Sequence, residues 1–269
     1  MESLKVVISE IIEHKRMIFN LAKYEVKTRY AGTTLGIVWL FLNPIIQIGI
    51  FAFVFGIGIR GNNPVGDIPF IIWMLTGLVP WFFIGAGINR GATSIVGKLG
   101  VASKMSFPLS VVPVYTILAL LQTHLILLPL VFLLMVIFGV SLTGFSLVAL
   151  MYFMLTTTIF LIILAFVTST IIAIVRDAGQ LVSHVVRFLF FMTPILWIPP
   201  THTPRWFMIL LRTNPLHYIV IGYRNAFLYS DPVFIHPIDT VYFWAVTVIL
   251  LLIGTSLHVK FRKEFVDYQ

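Results

Sequence analysis

The 269-residue sequence contains no cysteine, which excludes a disulfide framework and thiolate metal sites. Charge is scarce as well. Asp, Glu, Lys and Arg together make up 10% of the chain, where a soluble domain carries about 25%. Acidic residues are the scarcest functional type. All ten (Glu2, Glu10, Glu13, Glu25, Asp67, Asp177, Asp231, Asp239, Glu264 and Asp267) fall outside the long apolar stretches. An ion-driven transporter needs an ionisable group near the membrane midplane, and a glycosyltransferase or hydrolase needs paired carboxylates. The apolar stretches offer neither. A nucleotide-binding loop is missing too. The stretch Gly91 to Leu99 approximates one, but its glycines are one residue too far apart, Leu99 stands where a Mg²⁺-binding hydroxyl belongs, and no strand pattern precedes it. Catalysis, metal binding and a resident cofactor are therefore not expected in this chain. No signal peptide is expected either, because the first thirty residues are charged throughout.

What the chain has in quantity is apolar sequence: 59% hydrophobic residues and a mean hydropathy of +1.02. A bilayer crossing takes about 20 apolar residues. The apolar runs, of which only the fifth is broken by a charged residue (Arg187, with His184 before it), place six spans at about 36–59, 68–89, 109–138, 145–174, 178–198 and 240–258, with Gly139 to Gly144 as the turn between the third and fourth. The fold class expected is an all-α integral membrane protein, with a cytoplasmic helix over 1–30, a transmembrane domain over 31–262 and a tail over 259–269. The stretch 199–234 is aromatic and apolar, yet Arg212 and the Asn214-Pro215 break would fall in the middle of any span there. It reads as two short helices, Arg205–Arg212 and Leu216–Tyr229, dipping into the membrane from outside.

Basic residues set the orientation. Lys5, Lys15, Arg16, Lys23, Lys27, Arg29, Arg90, Lys98, Lys104, Arg176, Lys260, Arg262 and Lys263 fall on one side; Arg60, Arg205, Arg212 and Arg224 fall on the other. Positive charge is retained inside, so both termini are expected in the cytoplasm. The net charge of +8 then belongs to cytoplasmic loops, and nucleic acid is not an expected partner. In the first thirty residues, Leu4, Val7, Ile8, Ile11, Ile18, Ala22 and Val26 fall near one helical face, while Arg16, Asn20, Lys23 and Lys27 line another. A bend is expected near His14–Arg16. Such a helix lies in the membrane interface. Its cations, with Arg29 just before the first span, serve either as a plain anchor or as a site for a diphosphate.

Within the spans, His124 and His184 read as interhelical hydrogen-bonding groups or proton relays. Arg187, three residues from His184, either faces the bundle interior or snorkels to the surface. Trp73, Trp81, Phe82, Trp197 and Trp206 sit near span ends, where aromatic belts place such residues; a sugar polymer would also pack on their faces. The stretch with Lys98, Ser103, Lys104, Ser106 and Phe107 is either a plain loop or a docking helix for a cytoplasmic motor.

A family resemblance rests on the order and spacing of several motifs. Tyr24-Glu25-x-x-x-Arg29-Tyr30, with Leu35-Gly36-x-x-Trp39-x-x-Leu42-Asn43-Pro44 after it, resembles the opening motif of ABC-2-type polysaccharide exporter permeases. Gly77-Leu-Val-Pro-Trp81, Arg176-Asp177, Thr193-Pro194, Asn214-Pro215 and Gly222-Tyr223-Arg224 follow in that family's order. The strings Phe55 to Gly61, Lys104 to Pro108, Ile174 to Asp177, Gly222 to Tyr229 and Phe261 to Asp267 look most like the teichoic-acid translocation permease; an O-antigen or capsular exporter of the same family is the alternative. The resemblance implies a homodimer, two copies of a separate subunit that binds ATP and Mg²⁺, a polyprenyl-diphosphate-linked glycopolymer as cargo, and re-entrant helices between spans five and six. It implies a plasma-membrane location. On it, Arg16, Lys23, Lys27 and Arg29 are expected to meet the diphosphate and Lys98–Phe107 the motor. The path and its gate are expected to draw on Trp73, Trp81, Phe82, Arg187, Trp197, Trp206 and Tyr223.

Overall fold

A computed structural model describes residues 2–61, 63–102, 108–140, 144–200, 202–229 and 237–262. Every regular element among them is helical: α1 Glu2–Glu13, α2 Lys15–Tyr30, α3 Trp39–Phe51, α4 Phe70–Ala92, α5 Leu99–Ala102, α6 Val111–Ile137, α7 Gly144–Ile174, α8 Ala178–Met192, α9 Arg205–Thr213, α10 Pro215–Leu228 and α11 Pro237–Phe261. The first two are one amphipathic stretch interrupted at His14, where the sequence places its bend. α3 continues through a wider, π-helical winding over Ala52–Ile59. Gly56 and Gly58 lie in that segment, and the Arg60 amide reaches back five residues to the Phe55 carbonyl at 3.2 Å.

Among the described residues, five stretches are long and apolar enough to cross a bilayer: Gly36–Ile59, Phe70–Ala92, Val111–Ile137, Ser146–Ile174 and Pro237–Phe261. The expected fifth span over 178–198 is not one continuous helix. α8 stops at Met192 after 15 residues, about 22 Å at 1.5 Å per residue against a hydrocarbon core of about 30 Å. The cause is local. Thr193 precedes Pro194, whose ring disfavours the helical conformation in the residue before it, and Thr193 is extended at φ −77° and ψ 134°.

α4 is the axis of the bundle. Its span is 78% buried, whereas Gly36–Ile59 is 11% buried. It packs on α6, α7, α8 and α10. Glycine allows the closest of these contacts: a Cβ on Gly87 would lie 2.6 Å from Leu161, and one on Gly91 2.8 Å from Ala165. Small residues at helix crossings are how bundles in lipid gain packing, since lipid offers no hydrophobic drive between helices.

Three polar contacts fix which helix ends share a side. Glu10 on α1 accepts from Arg262 Nη1 at 2.8 Å and also from the Ser110 hydroxyl. Glu25 on α2 pairs with Lys98 at 3.2 Å. The end of α4, the start of α6 and the end of α11 therefore gather around α1 and α2. The starts of α4, α7 and α11 lie at the opposite end.

α9 and α10 form a hairpin whose turn is buried. Asn214 caps α10 by accepting from the Leu216 amide at 3.0 Å, with Pro215 at the first helical position. The Asn214 amide also donates to Thr193 Oγ1 at 3.0 Å. The turn borders a cavity whose wall includes Phe160 and Leu164 of α7 and Leu250 of α11, residues near the middle of those helices.

Candidate functional site

Between α3, α4, α6 and α8 lies a cleft of about 900 Å³. Three arginines border it: Arg29 at the end of α2, Arg90 at the end of α4 and Arg187 on α8. Much of the remaining wall is aromatic: Trp39, Phe51, Trp81, Phe82, Phe83, Phe190 and Phe191. Trp81 and Phe51 each pack against Phe190 with ring centres 5.5 Å apart. Asn89 donates to the Gly85 carbonyl of its own helix at 2.8 Å and ties α4 to α8 by accepting from Ser183 at 3.0 Å.

Arg29 is the unusual member. Its Nε and Nη2 atoms are buried and have no hydrogen-bond partner among the described residues. Burial, and after it the neighbouring Arg90, holds its pKa below the ordinary arginine value; Tyr30 and Glu25 oppose the shift. Arginine stays protonated through such shifts. The cleft thus carries a cation with two idle donors beside a second cation, an arrangement an anion would satisfy.

The four cations expected to meet a diphosphate do not form one group. Arg16, Lys23 and Lys27 are exposed and do not line the cleft. Arg29 is two residues past Lys27, hence turned by about 200° around the helix. That puts it nearer the side of Ile18, Ala22 and Val26, which α2 buries with residues of α6.

The residues expected along a path also divide. Trp81, Phe82 and Arg187 line the cleft together with Arg29. Trp73 and Tyr223 do not. Trp73 lies beneath the Arg224 guanidinium, 3.7 Å from ring centre to Cζ. Tyr223 is fully buried, with its hydroxyl 3.3 Å from His124 Nε2. Trp197 donates to the Phe191 carbonyl at 2.9 Å, and Trp206 is exposed on α9; both pack near Phe207. His124 borders the cleft and stacks on Phe83 at 5.1 Å, whereas His184 is exposed.

Arg224, counted from sequence among the four cations of the outer side, is not a surface charge. It is instead 4% exposed in the bundle core, donating from Nη1 to the Pro194 carbonyl at 2.8 Å and from Nη2 to the Ile195 carbonyl at 3.0 Å. The bend at Pro194 frees those carbonyls from helical bonding, and Gly77 leaves the space: a Cβ there would lie 2.4 Å from Nη2.

Lys98 is engaged by Glu25. Ser103, Lys104, Ser106 and Phe107 lie outside the described residues. Sequence reasoning missed Trp39, Asn43 and Gln47, which face the cleft from α3. Their spacing of four was legible as one stripe on an otherwise apolar helix. Arg90 was counted only toward orientation.

The profile of the ABC-2 type transporter family matches residues 16–228. Along nearly the whole chain the sequence is similar to the O-antigen export system permease protein RfbA of Myxococcus xanthus, 27% identical over 97% of this chain and 98% of that one. An O-antigen export permease RfbA of Klebsiella pneumoniae is 24% identical over 90% and 91%. The polysialic acid transport protein KpsM of Escherichia coli is 28% identical over 89% and 91%.

Proposed function

This chain belongs to the ABC-2 type transporter family, and we propose that it is the multi-pass permease of an exporter for a lipid-linked surface polysaccharide, driven by a separate ATP-binding subunit. The observation that carries the proposal is the cleft: idle arginine donors at the α2 end, and aromatic faces extending from it between the helices. An anionic lipid headgroup is captured at Arg29 and Arg90. The sugar chain moves along Trp39, Trp81 and Phe82, whose faces accept the C–H surfaces of pyranose rings. The exposed cations Arg16, Lys23 and Lys27 hold α2 on the anionic membrane surface. The α1/α2 end faces the cytoplasm by the positive-inside rule.

A second copy of the chain completes the path. The cleft is open, and α3 beside it exposes Phe41, Ile45, Ile46 and Ile50. Packing two such faces together would enclose the aromatic walls. The Lys98–Glu25 pair supports a coupling role for the region after α4, because it links that region directly to the helix carrying Arg29.

For the cargo, the named relatives favour an O-antigen or capsular polysaccharide. Teichoic acid is the second reading, favoured by strings such as Gly222 to Tyr229. The test is reconstitution in proteoliposomes with the ATP-binding subunit. Lipid-linked polysaccharide should become accessible to a membrane-impermeant lectin only with ATP. Delivery by this chain without the ATP-binding subunit would overturn the proposal, and delivery of lipid-linked teichoic acid alone would select the second reading.

A further inference from the structure

Another cavity, mostly apolar with a few polar groups in its wall, lies at the opposite end of the bundle from α2. It is about 310 Å³ and is enclosed by the start of α4, the segment after Pro194, the α9–α10 hairpin and the starts of α7 and α11. Its wall carries Arg212, His217, Asn225 and Asp239. No side-chain hydrogen bond between described residues engages any of these four groups. Arg224 borders it as well, with Nε buried and unpaired. Tyr218 and Phe153 add aromatic surface, their rings 5.4 Å apart.

We infer that this cavity is a binding site for one sugar ring. Its volume lies near the lower end of the range for small-molecule pockets, about 300–1,000 Å³, so it suits a single ring rather than a threaded polymer. The chemistry of the wall points the same way. A carboxylate, an amide, an imidazole and a guanidinium are planar groups that pair with neighbouring hydroxyls, and they supply acceptors and donors together. Two guanidiniums and one carboxylate share the wall, and a polyhydroxy ring, whose hydroxyls both donate and accept, satisfies both signs. The hairpin contributes Arg212, His217 and Asn225, and α11 contributes Asp239. A bound ring therefore bridges the hairpin to a spanning helix and holds the exit end in one arrangement.

The inference rests on the export reading for the source of the sugar: a residue of the emerging chain. The test uses the permease with its ATP-binding subunit in lipid nanodiscs and a panel of neutral, N-acetylated and acidic monosaccharides, read by saturation-transfer NMR. At least one sugar should give a signal that falls fivefold or more in both Asp239→Asn and Asn225→Ala. A signal lost in Trp81→Ala and unchanged in Asp239→Asn and Asn225→Ala would place the sugar in the α3–α4 cleft and overturn the inference. So would the absence, across the whole panel, of any signal dependent on Asp239 and Asn225. The lectin assay separates the two ideas. ATP-driven delivery without such a signal sinks only this inference, whereas a signal without delivery leaves the cavity a sugar site and sinks export.

Discussion

Arg29 and Arg224 are both largely withdrawn from water, and their surroundings differ in kind. Arg224 has two carbonyls, the face of Trp73 and a glycine cut to its shape. Arg29 has a like charge beside it, an open cleft and two buried nitrogens with nothing to donate to. A buried cation is costly unless paired or bonded. Arg224 meets most of that requirement within the chain, with both terminal nitrogens bonded and Nε left over, and joins α10 to α4 and to the bend after α8. Arg29 leaves it partly unmet, as expected of a group whose partner arrives from outside. Burial alone thus does not distinguish a structural arginine from a binding one; the number of idle donors does.

The comparison breaks most visibly at Arg224. Arg224→Leu leaves two buried carbonyls unpaired, at about 1–3 kcal/mol each, and removes a stacked cation worth about 2 kcal/mol when desolvated. Gly77→Ala drives a methyl group into a guanidinium that is held on three sides. Both variants should lower the thermal unfolding midpoint in detergent by several degrees. An unchanged midpoint in both would mean that the clamp is dispensable.

Arg29 should behave in the opposite way, with little effect on stability and a large effect on substrate. In the reconstituted complex, Arg29→Ala should cut stimulation of ATPase by lipid-linked substrate about tenfold or more, since one charge-assisted bond contributes about 1.5–3 kcal/mol. Arg29→Lys should recover only part of it, because the charge remains and the fork of donors is lost. Arg16→Ala should change little. Equal losses from Arg16→Ala and Arg29→Ala would return the capture role to the exposed face of α2.

The smallest effect belongs to Glu25 and Lys98. Both side chains are partly exposed, at 27% and 38%, and such pairs contribute about 0–1 kcal/mol. Glu25→Gln should therefore leave the unfolding midpoint within about 2 °C of wild type, a shift of that order for under 1 kcal/mol in a chain of this size. If the pair transmits motion, the variant should hydrolyse ATP at the normal rate and deliver less polysaccharide per ATP. Unchanged delivery would reduce the pair to a surface contact.

The sequence by itself determined the helical membrane class, the amphipathic character of the first thirty residues with its break near His14, and the interruption around Asn214-Pro215. These are local matters: an apolar run is long enough or it is not, and proline limits the backbone of its own neighbours. The stop of α8 at Thr193-Pro194 was equally local, yet the apolar composition that continues from Phe188 through Ile198 concealed it. Only the tertiary structure decided that Arg29 faces inward while Lys27 does not, that Arg224 is core, and that Trp81 borders the cleft while Trp73 lies under a guanidinium. In a nearly uniform apolar helix every face is alike in hydropathy, so periodicity carries little information about which side meets a cleft, a neighbour or lipid. That choice comes from the close approach of α4 to α7 and α10 through Gly87, Gly91 and Gly77, contacts between segments up to about 150 residues apart, which no local pattern encodes.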